Sequence, residues 1–225
     1  MYLNHPALDE DNLTHTRFDE TIERLAESLE DDEFASAFAY ELIEMGFLTA
    51  PASTKHHLAC PGGLAEHSLN VAETLEGMLW NAPDFVGRIL AIPIIVGLCH
   101  DLCKVDCYAE TDRGYVWAGH PLGDALDDYE HGTLSRRRAA RILGKTWARR
   151  NQVLSDDDFN ELLDAIEFHM GLYEPKMLRA DDPRDTHGAS VAIEMRSRFL
   201  KASDRSKLVV ITHLADMWAT HIFER

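Results

Sequence analysis

A chain of 225 residues, 45% hydrophobic and 27% charged, reads as an ordinary globular protein with room for one large domain or two small ones, and one is favoured. Its formal net charge of −17 argues against long nucleic acid as a partner, since that binding needs a basic stripe along the phosphates. A small anionic substrate stays open if cations inside a pocket reverse the local sign.

Met1 to Thr16 is polar and expected to be loose. Its first ten residues lack a basic start followed by an apolar stretch, so no signal peptide is expected. Apolar residues at Phe18, Ile22, Leu25 and Leu29 fall at helical spacing. Asp31 or Asp32 can cap the next helix, Glu33 to Met45, which should stop at Gly46. Phe47 to His57 is a linker holding Pro51. Gly62-Gly63 leads into a helix over Leu64–Leu79, with Leu64, His67, Val71 and Leu75 on one stripe.

Pro83-Asp84 opens a helix carrying Ile89 to Lys104, which Pro93 should bend or break. Its apolar run, Ile89 to Cys99, is too short to span a bilayer, so no membrane partner is expected. Val105 to Trp117 is a short hairpin or only a loop. Gly119 to Glu130 is an acidic loop, Gly132 to Leu143 an arginine-rich helix, and Asp156 to Met170 a helix capped by Ser155 or Asp156. Gly171 to Asp185 is a second long loop. Ala189–Leu200 and Lys207–Phe223 close the chain as helices. With no repeat and no clear sheet signal, the class is all-α.

Four cysteines occur. Cys99, Cys103 and Cys107 recur every fourth residue, which places them on one helix face; with Cys60 they read as reduced thiols of a cytoplasmic protein. A cysteine metal site is disfavoured by the absence of a Cys-x-x-Cys pair.

Gly97-Leu98-Cys99-His100-Asp101-Leu102-Cys103-Lys104 stands apart from the rest. A His-Asp pair at the end of a buried apolar helix is costly, because a buried carboxylate loses several kcal/mol unless paired or metal-bound. On a helix the two side chains diverge by about 100°, so both can reach one cation beside it. His67, His131, His169 and Asp216 likewise place an imidazole or an acid on a mostly apolar helix or at its edge. Singly, each histidine is more simply a cap or core residue; Asp216, between Leu214-Ala215 and Met217-Trp218, needs a cation or a set of donors.

Taken in order, these residues resemble the HD-domain metal-dependent phosphohydrolase superfamily over Lys55 to His221, most like its bacterial and phage members of unassigned substrate. The matching segments are Lys55-His56-His57, Gly62-Gly63-Leu64-Ala65-Glu66-His67-Ser68, Leu98 to Lys104, Phe168-His169-Met170-Gly171 and His213-Leu214-Ala215-Asp216. Glu130-His131-Gly132 departs from the expected Gly-His-Gly. The resemblance implies one helical-bundle domain, residues 1–50 being an extension packed on a 55–221 core. It implies one metal held by His67, His100, Asp101 and Asp216, and a second added by His131 and His169, with Asp101 bridging. Fe, Mn, Zn, Co and Ni all suit such ligands, and Mg is an option. Lys104 would contact the substrate phosphate or act near the nucleophile; a solvated lysine is the plainer alternative. Arg136, in the run Arg136-Arg137-Arg138, is a candidate phosphate ligand against a plainer reading as basic surface, and His120 a candidate substrate contact. The implied partner is a small phosphorylated compound, a nucleotide by preference, with a homodimer left open. The implied reaction is metal-assisted hydrolysis of a phosphoester, with Asp101 and Lys104 catalytic. A di-iron oxygenase or a non-catalytic nucleotide sensor are the competing readings.

Overall fold

The computed structural model describes residues 12–80, 90–119, 131–147, 154–171 and 186–224. Helix α1 spans Leu13–Leu29 and α2 Asp32–Glu44; α3 spans Gly63–Trp80 and α4 Ala91–Cys99. A 3-10 turn, Leu102–Val105, leads to a two-stranded hairpin of β1 (Tyr108–Thr111) and β2 (Gly114–Trp117). Helices α5 (His131–Trp147), α6 (Asp156–Glu167), α7 (Thr186–Arg205) and α8 (Lys207–Trp218) follow, and a π-helical turn, Ala219–Phe223, extends α8. The class is all-α with one short antiparallel hairpin, as expected. The predicted helix start at Pro83-Asp84, the loop residues 120–130 and 172–185, and His120 lie outside the described residues.

Helix starts follow the capping chemistry in the sequence. Asp31 accepts from the Phe34 amide at 2.9 Å, Ser155 from Asp158 at 3.1 Å and Ser206 from Leu208 at 3.1 Å, each satisfying a first-turn donor. Helix α1 begins earlier than its apolar pattern suggested. Asn12 caps it through the Thr14 amide at 3.0 Å, and Arg17 is tied to Glu66 and Glu73 of α3. A polar first turn therefore folds without contributing to the apolar stripe.

Pro93 does not break its helix. It is the third residue of α4, where a missing N–H costs no intrahelical bond. The helix stops instead at Cys99. His100 still has helical angles, but Asp101 leaves them at φ −111°, ψ 20°, so the pair sits at the helix end rather than along its side.

One apolar cluster joins Phe18, Ile22 and Leu25 of α1, Phe38 and Leu42 of α2, Leu64 and Leu69 of α3, Ile94 and Leu98 of α4, Ile142 of α5, Ile166 of α6 and Val209 of α8. The N-terminal helices thus share the core on which the His-Asp segment rests. Helix α3 packs on α4 and α8, and α5 packs on α6. Two glycines permit close approaches between helices. A Cβ at Gly97 would lie 2.5 Å from the Ala72 Cα, and one at Gly132 would overlap the Glu167 carbonyl. The first brings the end of α4 against α3, and the second brings the start of α5 against the end of α6.

Gly97→Ala is expected to force α3 and α4 apart, at a cost of about 1–3 kcal/mol for overpacking. The thermal midpoint should fall by several degrees, measured by circular dichroism, and divalent-metal affinity should fall with it. An unchanged midpoint would contradict the close approach.

Candidate metal centre

The six side chains singled out in the sequence come from five places in the fold. His67 projects from α3, His100 and Asp101 from the end of α4, His131 from the first residue of α5, His169 from the turn after α6 and Asp216 from α8. His67, His100, Asp101 and His169 are at most 2% exposed. All six converge.

The carboxylate of Asp101 is the meeting point, and its two oxygens face different partners. Oδ2 lies 3.6 Å from His67 Nε2 and 3.5 Å from His100 Nε2. Oδ1 lies 2.5 Å from His131 Nε2 and 3.4 Å from His169 Nε2. Asp216 Oδ1 closes the first group at 3.3 Å from His67 Nε2, and the His67 and His100 Nε2 atoms are 3.1 Å apart. Ligand atoms about 2.0–2.1 Å from one tetrahedral ion stand about 3.4 Å from each other. Every separation but the His131–Asp101 hydrogen bond lies within a few tenths of that.

Hydrogen bonding on the outer side of the rings turns the same atom inward. The Nδ1–H of His100 donates to the Gly97 carbonyl and that of His169 to the Ile166 carbonyl, both at 2.8 Å. A carbonyl only accepts, so in each neutral ring Nε2 carries a lone pair. His67 Nδ1 sits 3.0 Å from Glu224 Oε1, and Asn70 steadies Glu224 from the other side at 2.9 Å. Such outer partners fix tautomer and orientation in metal-ligating imidazoles. The inner nitrogen of His169 is buried and has no hydrogen-bond partner among the described residues. An orphaned buried acceptor is costly, and a metal ion would satisfy it. The residues therefore fit one or two divalent ions.

Charge points the same way. Burial works to neutralise Asp101, but Lys104, His100 and His131 outweigh it and hold the carboxyl well below the usual range. Asp216 is likewise depressed against its burial, chiefly by His67. Burial opposes a charge on His67, yet Asp216 and Glu224 raise it to about 9, while burial lowers His100 to about 4. In the metal-free chain His67 thus holds the proton that keeps its Nε2 and that of His100 from repelling each other.

Lys104 is where the sequence suggested. Its Nζ is 2.6 Å from Asp101 Oδ2, and burial, which would lower its pKa, is overcome by that carboxylate. Arg136 is not among the contacts of the centre. Its guanidinium binds Asp164 at 2.6 Å and Glu167 at 2.9 Å, because those two buried acids require cations, which Arg198 and Arg205 also supply. Arg138 matters instead: it donates to the Leu102 carbonyl at 2.9 Å and binds Asp106, fixing the turn that carries Asp101 and Lys104. His213, with Nδ1 donating to the His169 carbonyl at 2.7 Å, holds the other turn.

Three further residues were not assigned to the centre from sequence. Glu224 is one, and nothing in Phe223-Glu224-Arg225 signals it. His57, whose ring lies 5.1 Å from that of His67, is another; with His56, Thr220, His221 and Glu224 it lines a cavity of about 540 Å³. Cys103 is the third, its Sγ 3.0 Å from His131 Nδ1. The every-fourth-residue cysteine spacing was its only sequence signal.

No protein-family model, curated protein or solved structure matches this chain at a significant level.

Two outcomes are expected in metal titrations. A divalent ion must displace the His67 proton, which is held below about pH 9. Apparent affinity should therefore rise with pH, by up to about tenfold per unit for one displaced proton, and level off above that value. Competition titrations at several pH values check the slope, and a flat profile would remove His67 from the ligand set. Glu224→Gln should weaken the first ion by about 10–100-fold, as loss of an outer-shell partner does, with the far-ultraviolet dichroism unchanged.

Proposed function

We propose that the protein is a metal-dependent phosphohydrolase of the HD-domain type, acting on a phosphomonoester or phosphodiester of a small compound such as a nucleotide. The observation that carries this reading is the division of one buried carboxylate, Asp101, between two groups of imidazoles, with the Lys104 ammonium against one of its oxygens.

His67, His100, Asp101 and Asp216 would hold one ion, and His131, His169 and the other oxygen of Asp101 a second. Bound there, divalent ions supply Lewis acidity toward a phosphoryl oxygen and lower the pKa of a coordinated water. The chain's own residues do the rest. Asp101 fixes the two groups of ligands relative to each other and bears no proton across the neutral range. Lys104 keeps a permanent positive charge at the inner wall, suited to an equatorial phosphoryl oxygen that gains charge as the bond breaks. The His56, His57 and His221 cavity, backed by the Glu224–His67 pair, is large enough for a nucleotide-sized body. The negative field of the whole chain makes these interior cations the local sign that an anionic substrate meets.

Full-length protein supplied with Mn, Co or Ni is expected to release phosphate from a nucleoside monophosphate or to cleave a generic phosphodiester. Asp101→Ala should abolish turnover. Lys104→Ala should retain metal but lower kcat by about two orders of magnitude, the usual loss on removing one preorganised charge-stabilising donor. Equal activity in Asp101→Ala and the unaltered protein overturns the proposal. Oxygen consumption by anaerobically prepared, iron-loaded protein, without any phosphoester cleavage, would replace it with an oxygenase.

A further inference from the structure

The loop between α2 and α3 is built to present one ring. The buried Ser53 hydroxyl accepts from the His56 amide at 3.0 Å and donates to the His57 carbonyl at 2.8 Å, and the Ala52 amide donates to the Leu58 carbonyl at 3.1 Å. Leu58 is held at φ 47°, in the left-handed region that a branched side chain rarely enters. Its carbonyl approaches Gly63 so closely that a Cβ there would overlap it. Such strain persists where neighbouring structure over-determines it, and it collects at functional sites. What this loop places is His57. The ring centroid is 5.1 Å from that of His67, within electrostatic reach of Glu224 and also of Lys104 and Asp101. His57 lines the cavity shared with His56, Thr220, His221 and Glu224, yet its Nε2 is buried and has no hydrogen-bond partner among the described residues. A buried polar nitrogen in that state needs a partner, and the chain supplies none there. His57 is not one of the donors that gather within 4.8 Å of one another around His67, His100 and Asp101. It stands one layer out from the first ion, where a group carried on that ion would meet it.

We propose that His57 is a substrate-contacting residue, its Nε2–H donating to an oxygen of the phosphoryl group held on the first ion, while the rest of the substrate occupies the cavity that His57 lines. This rests on the hydrolase reading above and adds to it a residue and a direction of entry. Lys104 meets the phosphoryl group from the Asp101 side, and His57 meets it from the cavity side. Both donors are fixed before substrate arrives, Lys104 by its ion pair with Asp101 and His57 by the Ser53 tether. Donors held in this way stabilise developing charge without reorganising. The contact is a hydrogen bond only: no bond to His57 is made or broken, and no proton transfer is assigned to it. Position along the chain gives the ring its meaning, since the same loop leads through Gly62-Gly63 into α3 and His67, so one connection sets both the ligand and the group that reads what the ligand's ion carries.

The test is binding of inorganic phosphate to the full chain loaded with Mn, followed by calorimetry, with metal content measured in parallel. His57→Ala should keep the metal content of the unaltered protein and bind phosphate about 10–100-fold more weakly, the loss expected for one hydrogen bond to a charged group. His57→Gln, which keeps an N–H donor, should recover part of that loss. Cys60→Ala, altering an exposed thiol on the same loop, should bind phosphate as the unaltered protein does. A crystal structure of the unaltered, metal-loaded protein with phosphate gives an answer independent of how the variants fold, with His57 Nε2 expected within about 3.2 Å of a phosphate oxygen. Unchanged phosphate affinity in His57→Ala, loss of a metal ion from that variant, or a phosphate lying out of reach of Nε2 overturns the His57 assignment and leaves the hydrolase proposal standing. Metal-loaded protein that neither binds phosphate nor cleaves any phosphoester overturns both.

Discussion

Everything around the centre is arranged to keep one carboxylate buried and charged. Asp101 is 2% exposed, and an isolated ionised carboxylate in such a place costs several kcal/mol. Lys104 relieves part of that cost through a single ion pair with Oδ2. His131 relieves more of it through its hydrogen bond to Oδ1, but His100 and His169, when neutral, point lone pairs rather than protons toward the interior. That follows from their outer hydrogen bonds: the Gly97 and Ile166 carbonyls accept the Nδ1 protons of His100 and His169. A pocket lined by acceptors and poor in donors is stable only with a cation in it or with extra protons taken up.

The architecture serves this arrangement. Helix α4 is wholly buried, so it can end only against other helices, and its end is the His100–Asp101 corner. The corner forms because the chain changes conformation at Asp101, turning its carboxylate between α3 on one side and α5 and α6 on the other. Gly97 and Gly132 allow those helices to approach without side chains between them. Ligands separated by more than half the sequence are thereby held by rigid elements, which suits a site that tolerates little displacement.

How far this was legible in the sequence depends on what each residue does. His100, Asp101 and Asp216 stood out because a polar group in an apolar run must have a reason, and that inference needs no structure. His67 and His169 were ordinary singly and became informative only by their order. Helix termini were readable wherever a side chain makes the cap, as at Asp31, Ser155 and Ser206. The polar first turn of α1 was missed because its contacts are ion pairs to a distant helix. Pro93 misled because its effect depends on its position in the helix, which the apolar run does not mark. Arg136 was a candidate phosphate ligand because its partners, Asp164 and Glu167, look like surface acids in the sequence and are buried in the fold. Glu224 and Arg138 act through other residues, and their local sequence has no pattern that reports such a role.

Counting charge inside the cluster gives the remaining argument for metal. Asp101, Asp216 and Glu224 are all held ionised, each depressed against its own burial. Lys104 and a protonated His67 oppose them, which leaves the buried group one unit negative even with His67 charged. Protonating His100 does not correct this, because its burial pushes it to about 4. His131 is lowered by burial as well. Burial opposes a charge on His169 too, but Asp101 and Asp216 raise it, so in the metal-free chain that ring is the remaining place for a balancing proton. One divalent ion that displaces the protons of His67 and His169 keeps the sum at zero. A second makes the interior net positive and so creates the local sign reversal that an anionic substrate requires in a chain of net charge −17.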